Sequence, residues 1–72
     1  MEFAKEKYSK LRGLIREKYG TERAFATAAG LMPSVVSRCL NSRRQWRGEE
    51  IAAACRALGI PLTDAYLYNF FG

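Results

Sequence analysis

The sequence has no histidine, one aspartate and two cysteines, Cys39 and Cys55. Metal sites and most acid–base or nucleophilic catalysis depend on these side chains. The sequence also lacks a glycine-rich phosphate loop. A chain of 72 residues has little material from which to build the walls of a substrate pocket. We therefore expect no enzymatic activity, no metal, no cofactor and no small-molecule substrate.

The scarcity of cysteine and of apolar runs bears on where the protein works. Two cysteines do not form the disulfide framework of a small secreted protein, so we expect Cys39 and Cys55 to be reduced and packed in the core. No apolar run approaches the length of a membrane span, and no secretory signal is visible. These features predict a cytoplasmic protein without a membrane partner, folded as one domain over residues 1–72.

The chain is basic, with a net charge of +5, and its charge is unevenly distributed. Residues 23–48 contain five arginines and no acidic residue, whereas residues 49–72 contain one arginine against three acidic residues. An acid-free basic segment favours a polyanionic partner. A solvated basic face without a partner is the alternative.

The spacing of apolar residues predicts an all-α, five-helix fold. The first helix is expected over residues 3–19 and to end at Gly20, with Gly13 weakening its interior by about 1 kcal/mol relative to alanine. A fourth helix is expected over residues 48–58, and residues 62–67 are expected to add one or two final turns.

The second and third helices form the centre of the pattern. Thr21 is a suitable N-cap for a helix over residues 22–29. Gly30 then provides a position that tolerates positive φ, and Pro33 opens a helix over residues 33–40. Two short helices joined by a glycine turn have the helix-turn-helix layout, in which the second helix enters a DNA groove.

The helical period gives the third helix an outward face that can contact bases. Ser34 and Ser37 can form hydrogen bonds with base edges, and Val35, at the margin of the face, can contact a thymine methyl group. Arg38 matches the O6 and N7 atoms of guanine, although a phosphate contact or plain solvation is about as consistent with its position.

The surrounding basic residues are candidates for contacts with the DNA backbone. Arg23, Arg43 and Arg44 can neutralise phosphates and make binding depend on salt. The start of the second helix, from Thr21 to Arg23, can point its amides at a phosphate.

The aromatic residues leave two alternatives open. Trp46 is expected to cap the core, and stacking on a nucleic-acid base is the alternative. The tail, residues 66–71, fits both helical and strand spacing. We expect Leu67 and at least one phenylalanine to pack back on the core, with contact to a second copy of the chain as the alternative.

Residues 21–42 resemble the helix-turn-helix of phage repressor and Cro-type regulators. Ala26, Gly30 and Val36 lie where that family has its small residue, turn glycine and aliphatic anchor, and the ending Cys-Leu-Asn-Ser at 39–42 is similar to the family's own. The likeness to short phage-encoded proteins of this class extends from about Tyr8 to Phe71. It includes the YSKLRGLIREKYG segment, the tryptophan after the basic loop and the closing Phe-Phe.

The resemblance implies a λ-repressor-like transcriptional regulator that binds double-stranded operator DNA as a homodimer. It also implies that Pro33 occupies a position that contacts DNA in relatives. Two residues depart from the family pattern. Glu22 replaces a glutamine that often contacts phosphate, and its charge repels phosphate unless a cation pairs with it. Met32 replaces a frequent serine cap.

Two further hypotheses remain open at this stage. The chain can be a protein-interaction module that keeps the helix-turn-helix scaffold without specific DNA contacts. It can also be a basic helical domain that binds DNA without sequence preference, or RNA. The candidate DNA-binding residues are Thr21, Arg23, Pro33, Ser34, Val35, Ser37, Arg38, Arg43 and Arg44.

Overall fold

The computed structural model describes residues 8–68 and residue 70, and in them the chain is all-helical, as predicted. Four α-helices precede a final 3₁₀ helix: α1 Ser9–Tyr19, α2 Glu22–Ala29, α3 Pro33–Leu40, α4 Gly48–Leu58 and the 3₁₀ helix Leu62–Tyr68. The bounds of α2, α3 and α4 agree with those predicted. Tyr8 precedes α1 in a non-helical conformation, and residues 3–7 of the predicted first helix lie outside the described residues.

The ends of α2 follow from its flanking residues. The Thr21 hydroxyl oxygen accepts a hydrogen bond from the Ala24 amide at 3.1 Å, which confirms Thr21 as the N-cap. Gly30 adopts φ of 75°, in the left-handed region that favours glycine, and its amide donates back to Ala26 and Thr27. The chain therefore turns within three residues and starts α3 at Pro33, the first helical position that proline favours.

One hydrophobic core joins all the described helices. α2 lies at its centre, packed against α1, α3 and α4, and the ring of Phe25 is fully buried. Both cysteines are buried and free, as expected. The Tyr19 hydroxyl donates to the Ala57 carbonyl and ties the end of α1 to α4. The other large, fully buried side chains are Leu11, Ile15, Val36, Leu40 and Leu58.

The carboxy-terminal segment closes one side of this core. Trp46 is buried and meets the Phe70 ring edge-on, with centroids 4.9 Å apart, which confirms its expected role as a cap on the core. The burial of Phe70 likewise confirms that one phenylalanine packs back. Phe71 lies outside the described residues.

The expectation that Leu67 packs on the core is wrong, because its side chain is 44% exposed. The residues after Pro61 form a 3₁₀ helix, in which residues three apart share a face. Ala65 and Tyr68 occupy the face toward the core, so Leu67 points about 120° away from it. Tyr66 is also largely exposed, and so is Leu62, which shares the face of Ala65 and Tyr68 but lies at the first residue of the helix.

Candidate nucleic-acid interface

The outward face of α3 is the first component of the candidate interface. Val36, Cys39 and Leu40 are completely buried, as the helical period predicts. The opposite face carries exposed Pro33, Ser34, Ser37 and Arg38, with Val35 partly buried against the core. Among these residues Arg38 has the only long polar side chain, so it has the greatest reach toward a ligand.

The end of α3 is closed by Asn41. Its Nδ2 donates to the Ser37 carbonyl at 2.8 Å and lies 3.5 Å from the Ser37 hydroxyl. Ser42 then adopts φ of 59°, which is uncommon for a residue other than glycine, and starts the loop that leads to α4. The hydroxyl of Ser37 thus lies beside an existing donor, whereas the hydroxyl of Ser34, near the start of the helix, has no hydrogen-bond partner within the described part of the chain.

The first turn of α2 is the second component. Its cap, Thr21, uses a hydroxyl lone pair for the Ala24 amide and keeps a proton to donate. Arg23 is exposed and has no ion-pair partner among the residues that the structure describes. Glu22 is the one acidic residue between positions 18 and 48. Its charge is compensated by a residue that the sequence analysis did not single out.

That residue is Arg12, in α1. Its Nη1 donates to Glu22 Oε2 at 2.8 Å, and its Nη2 donates to the Leu40 carbonyl at 2.9 Å and to Asn41 Oδ1 at 3.0 Å. One guanidinium thus joins the start of α2 to the end of α3, which places these two ends side by side. The sequence contains only a weak signal for this role, since Arg12 is one of several cations on α1.

An open notch of about 370 Å³ lies beside this contact. It is formed where α1 ends and α2 begins, and both Arg12 and Arg16 line it together with Thr21 and Glu22. The notch is partly open to solvent, which suits an extended ligand better than an enclosed small molecule.

The loop between α3 and α4 is the third component, and it is held by a different ion pair. Arg44 donates from Nη1 to Glu50 Oε1 at 2.7 Å and from Nη2 to Glu50 Oε2 at 2.9 Å. Glu50 Oε1 also accepts from the Arg47 amide at 2.9 Å, which caps the start of α4. The hydrogen bonds from Arg44 hold the pKa of the Glu50 carboxyl below its usual value.

This geometry changes the role expected for Arg44. Its guanidinium is engaged by Glu50, and it also approaches the Cys39 sulfur at 3.5 Å and the Gln45 carbonyl. A bidentate carboxylate competes directly with a phosphate for the same donors. We therefore assign Arg44 to the structure of the loop. Arg43 is exposed, keeps its side chain free of any ion pair in the described part of the chain, and remains a candidate phosphate ligand.

Comparison with known protein families identifies the family of this chain. Residues 4–72 match the family described as "Protein of unknown function (DUF739)". The chain belongs to this family. No curated protein matches the sequence.

The described residues of this DUF739 protein also show how far it meets the requirements of a metal site, a reactive thiol and a membrane-spanning helix. No group of three or more histidine, cysteine or acidic side chains is placed to hold a metal ion in residues 8–68 and 70. Burial raises the pKa of both the Cys39 and the Cys55 thiols, so neither is activated as a thiolate. Over the same residues, no helix combines the length and the apolar character needed to cross a bilayer.

Proposed function

We propose that this DUF739 protein is a sequence-specific DNA-binding transcriptional regulator of the phage repressor or Cro type. In this proposal α2, the turn at Gly30 and α3 form a λ-repressor-like helix-turn-helix. The observation that carries it is the outward face of α3, which is polar, exposed and placed within a segment of 26 residues that holds five arginines and no acid. Such a surface suits a polyanion with a groove that admits a helix.

Docking of α3 in the major groove gives each outward side chain a role. Arg38 forms the bidentate contact with guanine, and Ser34 and Ser37 form hydrogen bonds with neighbouring base edges. Val35 is partly buried, so its contact with a thymine methyl group is limited to the atoms left exposed. Pro33 fixes the start of the helix against the groove.

Phosphate contacts position the helix without selecting sequence. Arg43 lies three residues after the end of α3, and Arg23 lies in the first turn of α2. Thr21 has a hydroxyl proton to donate, and the amides around it point out of the positive end of α2. These groups make the affinity fall as salt rises.

The proposal includes a homodimer and excludes catalysis. A symmetric pair of α3 helices contacts two half-sites about 34 Å apart, or a multiple of that distance. The exposed Leu62, Tyr66 and Leu67 are apolar side chains available for contact with a second copy. The regulator then acts in the cytoplasm. Its binding at a promoter either blocks access to the promoter or promotes recruitment there.

Fluorescence anisotropy with labelled duplexes tests the proposal. The protein is titrated against duplexes from its own upstream region and against random duplexes, at two salt concentrations. Preference for one duplex supports the regulator. Equal binding to all duplexes indicates a non-specific nucleic-acid binder. Absence of binding favours a protein-interaction module. The exposed apolar side chains of the 3₁₀ helix are the observation that supports this alternative.

Arg38→Ala provides the matching prediction. Specific binding should weaken by about 1–3 kcal/mol, with relaxed preference at one base pair, because a bidentate guanine contact is lost. Arg56→Ala, on the exposed side of α4, is the control for a change of net charge. Equal losses on every duplex would make Arg38 a phosphate contact instead.

A further inference from the structure

We propose that Arg12 is a positioning residue of this interface, which neutralises Glu22 and holds the beginning of α2 against the end of α3. The inference rests on the proposed DNA-binding function. It concerns a residue of α1 that lies outside the two helices assigned to DNA contact. The two-helix unit then binds a polyanion more tightly while the Arg12 guanidinium is bound across it.

The geometry gives Arg12 three acceptors at once. Two of its nitrogens reach the Glu22 carboxylate, the Leu40 carbonyl and the Asn41 side-chain oxygen, all within 3.0 Å. These acceptors are 10, 28 and 29 residues away along the chain. The planar fork of arginine satisfies such a set, whereas a lysine ammonium lacks the fixed divergent donors.

The first consequence concerns charge. Glu22 is the one acid between positions 18 and 48, and it lies at the first position of α2, between Thr21 and Arg23. An unpaired carboxylate there repels a phosphate approaching the first turn of α2. The Arg12 guanidinium, at 2.8 Å, makes the site neutral, and the helix dipole and Arg23 then act on the phosphate without opposition.

The second consequence concerns the end of α3. The last carbonyls of a helix carry partial negative charge, and the Leu40 carbonyl points at Arg12. Asn41 is fixed both by Arg12 and by its own bond to the Ser37 carbonyl. The start of the loop that carries Arg43 is therefore fixed relative to α3, because Asn41 is held from two sides.

Exposure separates this role from a purely stabilising one. The Arg12 and Glu22 side chains are 28% and 39% exposed, and ion pairs of this kind contribute little to folding. Both residues line the open notch between α1 and α2, where a bound ligand would lie close to their charges. We therefore expect the loss of Arg12 to affect DNA affinity more than stability.

A double-mutant cycle on DNA affinity tests the inference. The variants are Arg12→Gln, Glu22→Gln and the two combined, with Arg56→Gln as a control that removes the same charge from an exposed position of α4. The probe is the duplex that the wild-type protein selects best from a random library. Affinities are measured by anisotropy at two salt concentrations, at a temperature where circular dichroism shows every variant folded.

The expected pattern is specific. Arg12→Gln weakens specific binding roughly tenfold, since charge-assisted hydrogen bonds are lost and Glu22 becomes unpaired. Arg56→Gln changes it by less than about threefold, because Arg56 is exposed, lies outside α2 and α3, and forms no ion pair among the residues that the structure describes. Glu22→Gln binds as tightly as the wild type or tighter. The combined variant regains about threefold relative to Arg12→Gln, because no unpaired carboxylate remains.

Two results would overturn the inference. One is an Arg12→Gln affinity equal to that of Arg56→Gln. The other is a combined variant as weak as Arg12→Gln alone. If Arg12→Gln does not fold, Arg12→Lys replaces it in the cycle, with a smaller loss expected because the charge is kept but the fork is not.

Amide hydrogen exchange on the free protein separates this inference from the proposed function. The amides of Ser42 and Arg43 donate to carbonyls in the last turn of α3, so they report on its end. Arg12→Gln should speed their exchange relative to Arg56→Gln. Unchanged exchange would show that Arg12 does not hold the end of α3. If the wild-type protein selects no duplex, the proposed function and the charge role both fail, whereas this exchange still decides whether Arg12 holds the helices.

Discussion

The protein contains two arginine–glutamate pairs that do different work. Arg44 and Glu50 are six residues apart, form two hydrogen bonds to each other and leave Glu50 only 12% exposed. Arg12 and Glu22 share one hydrogen bond and are more exposed, and the rest of the Arg12 guanidinium reaches α3. The first pair closes a loop, and the second joins three helices.

The difference shows why a count of basic residues overstates an interface. Arg43 and Arg44 are adjacent, carry the same charge and are indistinguishable in the sequence. In the structure the guanidinium of Arg44 is held by Glu50, and that of Arg43 is free to meet a ligand. Removing a charge from the Arg44–Glu50 pair should therefore affect stability more than binding. Removing Arg12 should affect binding more than stability.

The largest expected effect is on the loop pair. Glu50→Ala should lower the free energy of unfolding by about 2 kcal/mol, because Arg44 and the Arg47 amide both lose a charged acceptor. Urea denaturation measures it. Glu49→Ala is the matched control, since Glu49 is exposed and adjacent. A loss no larger than that of the control would show that the Arg44–Glu50 pair stabilises the fold no more than an ordinary surface ion pair does.

The pH dependence of stability should come next in size and follow the same pair. The pKa of Glu50 is lowered in the folded protein, mainly by Arg44, so its contribution is present above the unfolded value of about 4.5. It is lost as the pH falls through the lower folded pKa. Glu50→Gln should flatten the stability curve over that acid range, which pH-dependent denaturation measures. An unchanged slope would show that Glu50 is not the group that titrates.

A smaller effect separates the adjacent arginines. Under the proposed function, Arg43→Ala should weaken binding to all duplexes alike and reduce the slope of log affinity against log salt by about one unit. Arg44→Ala should leave that slope unchanged and lower stability instead, because its guanidinium is bound to Glu50. Anisotropy over a salt series measures the slopes. Equal slopes for the two variants would show that the guanidinium groups of Arg43 and Arg44 are equally available to phosphate.

The smallest expected effect concerns the helix that carries Arg12. Gly13 lies in the interior of α1. Apart from the adjacent backbone of the helix itself, no atom of the described residues lies within 4 Å of the position that a β-carbon would take. Gly13→Ala should therefore stabilise the protein by about 0.5–1 kcal/mol, through the lower helix propensity of glycine. Thermal denaturation measures the shift. Destabilisation instead would mean that α1 needs the flexibility of glycine beside Arg12.

Much of the fold could be predicted from local chemistry. The N-cap Thr21, the turn at Gly30 and the proline that opens α3 each act within a few residues, and their helices begin and end where expected. The period of 3.6 residues separated the buried Val36 from the exposed Ser37. The tail was harder, because its spacing fits several structures. Its 3₁₀ form turned Leu67 outward against expectation.

The candidate site divides in the same way. The sequence by itself determined the helices, the outward face of α3 and the acid-free charge around it, because these depend on neighbours along the chain. Only the tertiary structure decided which arginines are free, because the partners of Arg12 lie up to 29 residues away and that of Arg44 depends on how a loop closes. A hydrogen bond forms only when donor and acceptor lie about 3 Å apart. The number of residues between two groups does not indicate whether the folded chain brings them that close.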